Sequence, residues 1–102
     1  MAENQEKPVT AYKEFSHSFV PFDGDEEVQV IHHFKKPTSS RIDRTVADLR
    51  KSPGRAFKNL LTELVDPAEK QQLEDNLKKY PGLPNTFGNG ILTRMGFGEL
   101  GN

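Results

Sequence analysis

Apolar and polar residues alternate in the first third of the chain, and further on the apolar residues recur every three or four positions. Val28, Val30, His32 and Phe34 occupy alternate positions, which predicts a β-strand with one half-buried face. A weaker alternation runs through residues 11–20, and an Asp-Gly pair, a strong turn signal, lies between the two segments. This part of the chain is therefore predicted to form a β-hairpin.

Beyond Pro37 the period of the apolar residues predicts short helices. Each of the first three begins with a capping residue near a proline, and the third has Glu69 where a capping box places an acid. These starts are Thr38 to Ser40, Ser52-Pro53 and Asp66-Pro67. The second helix carries the strongest apolar stripe, formed by Phe57, Leu60, Leu61, Leu64 and Val65. We therefore expect the second helix to be the central one.

A fourth apolar stripe follows the break at Pro81-Gly82 and includes Leu83, Phe87, Ile91 and Met95. Gly88 and Gly90 lower the helix propensity of this segment. The whole pattern predicts a single α+β domain over residues 11–95. It consists of a β-hairpin at 11–34 and a compact bundle of three to four short helices at 38–95, between a disordered lead-in at 1–10 and a flexible tail at 96–102.

The composition excludes several classes of protein. The 102 residues contain no cysteine, which excludes disulfides, thiolate metal sites and a cysteine nucleophile. No apolar run approaches the roughly 20 residues of a membrane span, and the polar, acidic N-terminus is unlike a secretory signal. We expect a cytoplasmic protein.

The histidines and acidic residues offer the first candidate chemistry. His17 and His32 fall on the same face of the predicted hairpin, and with Asp23 or Asp25 of its loop they would supply ligands for a divalent metal. Their spacing matches no known metal motif, and the acidic loop lacks the ligand pattern of a calcium hand. Since no catalytic motif is present either, we expect no enzyme activity, no metal and no cofactor.

Charge is distributed unevenly along the chain, and its basic segment is the second candidate for a functional site. Residues 35–58 carry eight basic and two acidic residues, whereas the whole chain has a net charge of −1. Arg41, Arg44, Arg55 and Lys58 lie in the first two predicted helices, whose layout is similar to a helix-turn-helix. A small DNA-binding regulator using helices 38–58 is therefore the alternative function. The slightly acidic chain argues against it, because DNA-binding domains usually carry a basic surplus.

Three segments resemble a known family. They are Phe34-Lys35-Lys36-Pro37-Thr38 leading into a helix, Asn59-Leu60-Leu61 with Leu64-Val65-Asp66-Pro67, and Tyr80-Pro81-Gly82-Leu83. Over about residues 28–95 the chain is similar to the small tail assembly chaperones of long-tailed bacteriophages and prophages. In that family a short extended N-terminal part leads into a compact helical domain.

The resemblance implies a non-catalytic protein that binds the tape measure protein and tail tube protein during tail assembly. It also implies that a frameshifted, longer form can exist, joined at the tail. An amphipathic helix of a partner needs an apolar groove. The residues predicted to bind a partner are Phe87, Ile91 and Met95, with the cations Arg41, Arg44, Arg55 and Lys58. The oligomeric state stays open, because an exposed hairpin edge can pair with a second copy.

Overall fold

The structure, a computed structural model, describes residues 11–98. In this part of the chain a β-hairpin precedes four α-helices, which confirms the predicted α+β class. The elements are β1 Tyr12–Phe19, β2 Val28–Lys35, α1 Ser39–Leu49, α2 Pro53–Leu64, a short 3-10 helix Pro67–Glu69, α3 Lys70–Lys79 and α4 Leu83–Arg94. The predicted lead-in at 1–10 lies outside the described residues.

The two strands pair along their full length. Tyr12 lies opposite Lys35 at one end of the antiparallel hairpin, and Phe19 lies opposite Val28 at the other. Alternate residues of β2 face the helices and are buried, as the sequence predicts. On the edge that does not pair with β1, β2 is held by the segment after α2: Phe34 bridges to Val65, and the Asp66 amide donates to the His33 carbonyl at 2.9 Å. The hairpin is thereby attached to the helices along its second strand.

The loop between the strands contains the predicted turn, but its glycine does not adopt the positive φ for which Asp-Gly is usually a turn signal. The Gly24 amide donates to the Pro21 carbonyl at 3.1 Å, which closes a turn with Phe22 and Asp23 at its centre. Among the described residues a positive φ occurs only at Gly96, so Gly24 does not use the left-handed conformation. Glycine is also common at the last position of a type I turn, which is where Gly24 lies.

The helix starts follow the predicted prolines, and the caps differ among them. The Thr38 hydroxyl accepts from the Arg41 amide, whereas Ser52 makes no side-chain capping bond. Asp66 caps the short 3-10 helix by accepting from Ala68. Glu69, which the sequence places in a capping box, does not reach back to Asp66. Its carboxylate instead binds two histidines of β2.

The core lies between α2, α4 and the inner face of the hairpin. Leu60 and Leu61 of α2 are fully buried, which agrees with the prediction that the second helix is central. Gly88 lets α4 approach this helix, since a Cβ at position 88 would lie 2.1 Å from Cδ1 of Phe57. The glycine that weakens the predicted fourth helix is therefore required by its packing. No helix within residues 11–98 is long and apolar enough to span a membrane.

The end of α4 is well defined. Gly96 has a φ of 98°, its amide donates to Thr93, and the Phe97 amide donates to Leu92 at 3.1 Å. These two bonds form a Schellman motif, and the Phe97 ring packs against the core. The predicted flexible tail at 96–102 thus begins with an ordered helix end, and its residues 99–102 lie outside the described part.

Candidate protein-binding groove

An apolar groove of about 500 Å³ opens where the base of the hairpin meets the last turns of α4. Its floor consists of Phe15 from β1, Phe34 from β2, and Ile91 and Met95 from α4. The Phe15 and Phe34 rings meet edge to face, with centroids 5.6 Å apart. Ligand pockets are typically about 300–1,000 Å³ and mostly apolar, so this groove has the size and the lining of a binding site.

Cations surround this floor. Lys13, Lys35, Lys36 and Arg94 line the groove and are exposed, and its lining contains no carboxylate. None of these four groups forms an ion pair with a carboxylate of residues 11–98. The Arg94 guanidinium lies 4.5 Å above the centre of the Phe15 ring. We call this site, four apolar floor residues with four cations at the rim, the basic groove.

The apolar residues predicted to bind a partner have different environments. Phe87 is only 2% exposed and its ring lies 5.8 Å from that of Phe34, so it belongs to the core and does not line the groove. Ile91 is equally buried yet forms part of the floor. Met95 is half-buried and lines the groove. Phe57, Leu61 and Leu83 are likewise buried in the core.

The predicted basic residues lie elsewhere. Arg41 is 10% exposed, and its Nε lies 3.1 Å from a carboxylate oxygen of Glu63, so it is not a free surface cation. Arg44, Arg55 and Lys58 are exposed, and none of them lines the basic groove. The positive segment 35–58 is therefore divided in space. Its first two lysines join Lys13 and Arg94, which are distant in sequence, and the rest lie on α1, on α2 and in the turn between them.

A second cluster, the histidine network, comprises His32, His33, Glu69 and Asn76. His32 is fully buried between the hairpin and α3. The Asn76 amide donates to its Nε2 at 3.0 Å, which leaves the ring proton on Nδ1, and Nδ1 donates to Glu69 Oε1 at 2.9 Å. The backbone amide and Nδ1 of His33 donate to the same carboxylate at 3.0 and 2.6 Å.

Three donors on one carboxylate determine its charge state. Partial burial raises the pKa of Glu69, but the hydrogen bonds from His32 and His33 and the nearby His33 ring outweigh burial, so the pKa lies below its usual 4.5. The carboxylate is therefore ionised at neutral pH. It joins β2 to the segment between α2 and α3.

The histidine network offers little for chemistry. Both ring nitrogens of His32 already have partners, so neither is left for a metal, and His17, though on the same face, stacks on Phe19. Residues 11–98 contain no group of three or more metal-ligating side chains with suitable geometry. The network therefore fastens the fold, and the basic groove is the candidate functional site.

Comparison with known proteins gives a family and a fold. Residues 5–102 match the family model described as Domain of unknown function (DUF6848), and the chain belongs to that family. Among solved structures, it is similar to an uncharacterised protein of Bacillus stearothermophilus (rbstp2171), with 20% identity, 88% coverage of each chain and a TM-score of 0.69. At this identity the likeness concerns the fold alone. Comparison with curated protein sequences gives no match.

Proposed function

We propose that this member of the DUF6848 family is a non-catalytic binding protein that holds an acidic, amphipathic segment of a partner protein in the basic groove. The observation that supports the proposal is an apolar floor surrounded by four cations that have no carboxylate partner within residues 11–98. In line with the resemblance of residues 28–95, we propose that the protein acts as a tail assembly chaperone in the host cytoplasm. Its partners are then the tape measure protein and the tail tube protein.

The groove suits such a segment for two separate reasons. Phe15 and Met95, which are both half-buried, offer apolar contacts at the place where an amphipathic helix would lay its apolar face. The thioether of Met95 adapts to side chains of different shapes, which favours a partner with many similar helical segments. The cations at the rim select segments whose polar face is acidic, because complementary charges speed association and exclude basic sequences.

The cations of α1 and α2 support DNA binding less well than the basic groove supports binding of a protein segment. Of the four cations in the helix-turn-helix interpretation, Arg41 is occupied by Glu63. Arg44 shares α1 with the exposed Asp43 and the half-buried Asp48, so its helix carries no net positive surplus, whereas Arg55 and Lys58 lie on α2. A DNA-binding regulator using helices 38–58 stays the alternative prediction, and salt-sensitive binding of duplex DNA by α1 and α2 would favour it.

The test measures binding of peptides that cover the tape measure protein, first with the wild type and then with two matched variants. In Lys35→Glu/Lys36→Glu two rim charges are reversed, and we expect affinity for acidic amphipathic peptides to fall about tenfold or more, since each reversal turns an attraction of up to about 1 kcal/mol into a repulsion. Arg44→Glu/Lys58→Glu makes the same change of charge outside the groove and should leave affinity nearly unchanged.

Two outcomes would contradict the proposal. If no tape measure or tail tube segment binds the wild type, the assignment of these partners fails. If Arg44→Glu/Lys58→Glu weakens binding as much as the groove variant does, the partner docks on the helical face and not in the groove. Circular dichroism of both variants shows whether they keep the fold, and both should, because all four substituted side chains are exposed.

A further inference from the structure

The hairpin loop, like the basic groove, combines apolar side chains with charged groups, but its charges are negative. Phe22 at the centre of the turn is fully exposed, and Val20 beside it is 57% exposed. Asp23, Asp25, Glu26 and Glu27 follow, all exposed. None of these carboxylates forms an ion pair with a cation of residues 11–98. We call residues 20–27 the acidic tip.

The acidic tip and the basic groove are complementary in charge and in chemistry. The tip carries four carboxylates around a protruding aromatic ring, and the groove carries four cations around an apolar floor. Isolated exposed apolar side chains are common on protein surfaces. An exposed aromatic ring within a patch of one charge, matched by an apolar groove rimmed by the opposite charge, is a more specific arrangement, because both components must fit at once.

A tip cannot reach the groove of its own molecule. The groove lies at the end of the hairpin where Tyr12 pairs with Lys35, and the tip lies beyond the opposite pair, Phe19 and Val28. Seven residue steps at about 3.4 Å separate these ends by roughly 24 Å of stiff, paired strand. Contact between tip and groove therefore requires two molecules.

We propose that the acidic tip of one molecule docks in the basic groove of a second copy, with Phe22 on the apolar floor and the carboxylates at the lysine rim. The inference rests on the same groove as the proposed function and names the occupant that it holds when no partner is present. The contact joins two different surfaces, so repetition produces open chains or closed rings, and two copies that exchange their tips reciprocally form the smallest such ring, a two-fold dimer.

Geometry and chemistry at the contact support this occupant. A volume of about 500 Å³ accommodates an aromatic side chain, and the partly buried Phe15 provides a ring against which Phe22 can pack edge to face. Lys35 and Lys36 lie next to each other at the rim, where two of the tip carboxylates can pair with them. A partner segment that is acidic and amphipathic would displace the tip, because it offers the same groups from a longer surface.

The test is a complementation experiment by sedimentation velocity at low ionic strength, across a concentration series. Wild-type protein should show concentration-dependent species larger than a monomer, and added salt should reduce them. Phe22→Ser damages the tip alone, and Lys35→Glu/Lys36→Glu damages the groove alone. Each variant by itself should be monomeric. An equimolar mixture should form a capped one-to-one dimer, since it contains one intact tip and one intact groove.

The outcomes separate this inference from the proposed function. A wild type that stays monomeric, or a mixture that forms no dimer, overturns the inference, and binding of partner peptides by the same wild type would leave the proposed function standing. Association that persists in Phe22→Ser would also overturn it. If removal of residues 1–10 is what creates association, the groove belongs to the chain's own N-terminal segment and the proposal fails. Phe22→Ser should bind partner peptides at least as tightly as wild type, because its groove is vacant.

Discussion

His32 and Phe34 lie two residues apart on the same face of β2, and they lead into opposite kinds of environment. Around His32 each polar atom has a partner, from Asn76 on one side to Glu69 on the other. Beyond the Phe34 ring lies the basic groove, whose cations have no carboxylate partner among residues 11–98. One strand thus contributes both to a region whose polar groups are hydrogen-bonded and to a region whose cations lack carboxylate partners.

The difference shows where each kind of substitution should act. A buried polar group left without its partner costs about 1–3 kcal/mol, so changes in the histidine network should reduce stability. Exposed lysines contribute little to stability, commonly within about 0.5 kcal/mol, so changes at the rim should alter binding and leave folding intact. The predictions that follow test this division.

The largest effect is expected for Glu69→Ala. The substitution removes the acceptor of three hydrogen bonds and leaves the Nδ1 proton of His32 buried without a partner. We expect the free energy of unfolding to fall by about 3 kcal/mol, measured by urea denaturation at neutral pH.

Glu14→Ala is the matched control for this prediction. Its carboxylate lies 4.0 Å from Nε2 of His33, and its side chain is 62% exposed. Loss of this loose, solvated contact should change stability by less than about 0.5 kcal/mol. If the free energy of unfolding falls by the same amount in both variants, the histidine network contributes no more to stability than a solvated surface contact does, and the comparison between the two regions fails.

A smaller effect, of opposite sign at two positions, is expected along α4. The Cβ of Gly88→Ala would meet Phe57 of α2 at 2.1 Å, on the core side of the helix, and we expect a loss of about 2 kcal/mol from overpacking. The Cβ of Gly90→Ala would lie 3.6 Å from the Phe15 ring, an ordinary contact. There the gain in helix propensity should dominate and stabilise the protein by up to about 1 kcal/mol. Thermal unfolding of both variants would contradict this account if they shift the midpoint in the same direction.

The fold was largely predictable because its elements follow local rules. The alternation in β2, the stripe of α2 and the prolines before each helix identify the order of the elements. The role of Gly88 was not predictable, since propensity counts the cost of a glycine in a helix and cannot show the Phe57 ring that requires it. Glu69 was misassigned to a capping box for the same reason, because its real partners lie more than 35 residues away in β2.

The candidate site was less predictable. Two of its cations, Lys35 and Lys36, belong to the positive segment seen in the sequence, but Lys13 and Arg94 join them only through the folding of β1 and α4. Arg41 looked equivalent to Arg44 until the packing of α1 on α2 placed it beside Glu63. A one-dimensional charge count therefore indicates that a basic surface exists but not where it lies.

The smallest effect is a dependence on pH that separates the two regions. The pKa of Glu69 in the folded protein lies below the usual 4.5, so the unfolded chain takes up its proton first as the pH falls. The stability that the ionised carboxylate contributes is therefore complete well above pH 4.5 and is lost as the pH falls through the folded-state pKa.

Wild type and Glu69→Gln should differ most in urea midpoint at neutral pH and converge in acid, because a protonated Glu69 resembles glutamine. The Lys35→Glu/Lys36→Glu variant, which leaves the network intact, should follow the wild type in the region of this transition. A gap between wild type and Glu69→Gln that stays constant from neutral pH into acid would show that the charge of Glu69 does not stabilise the fold.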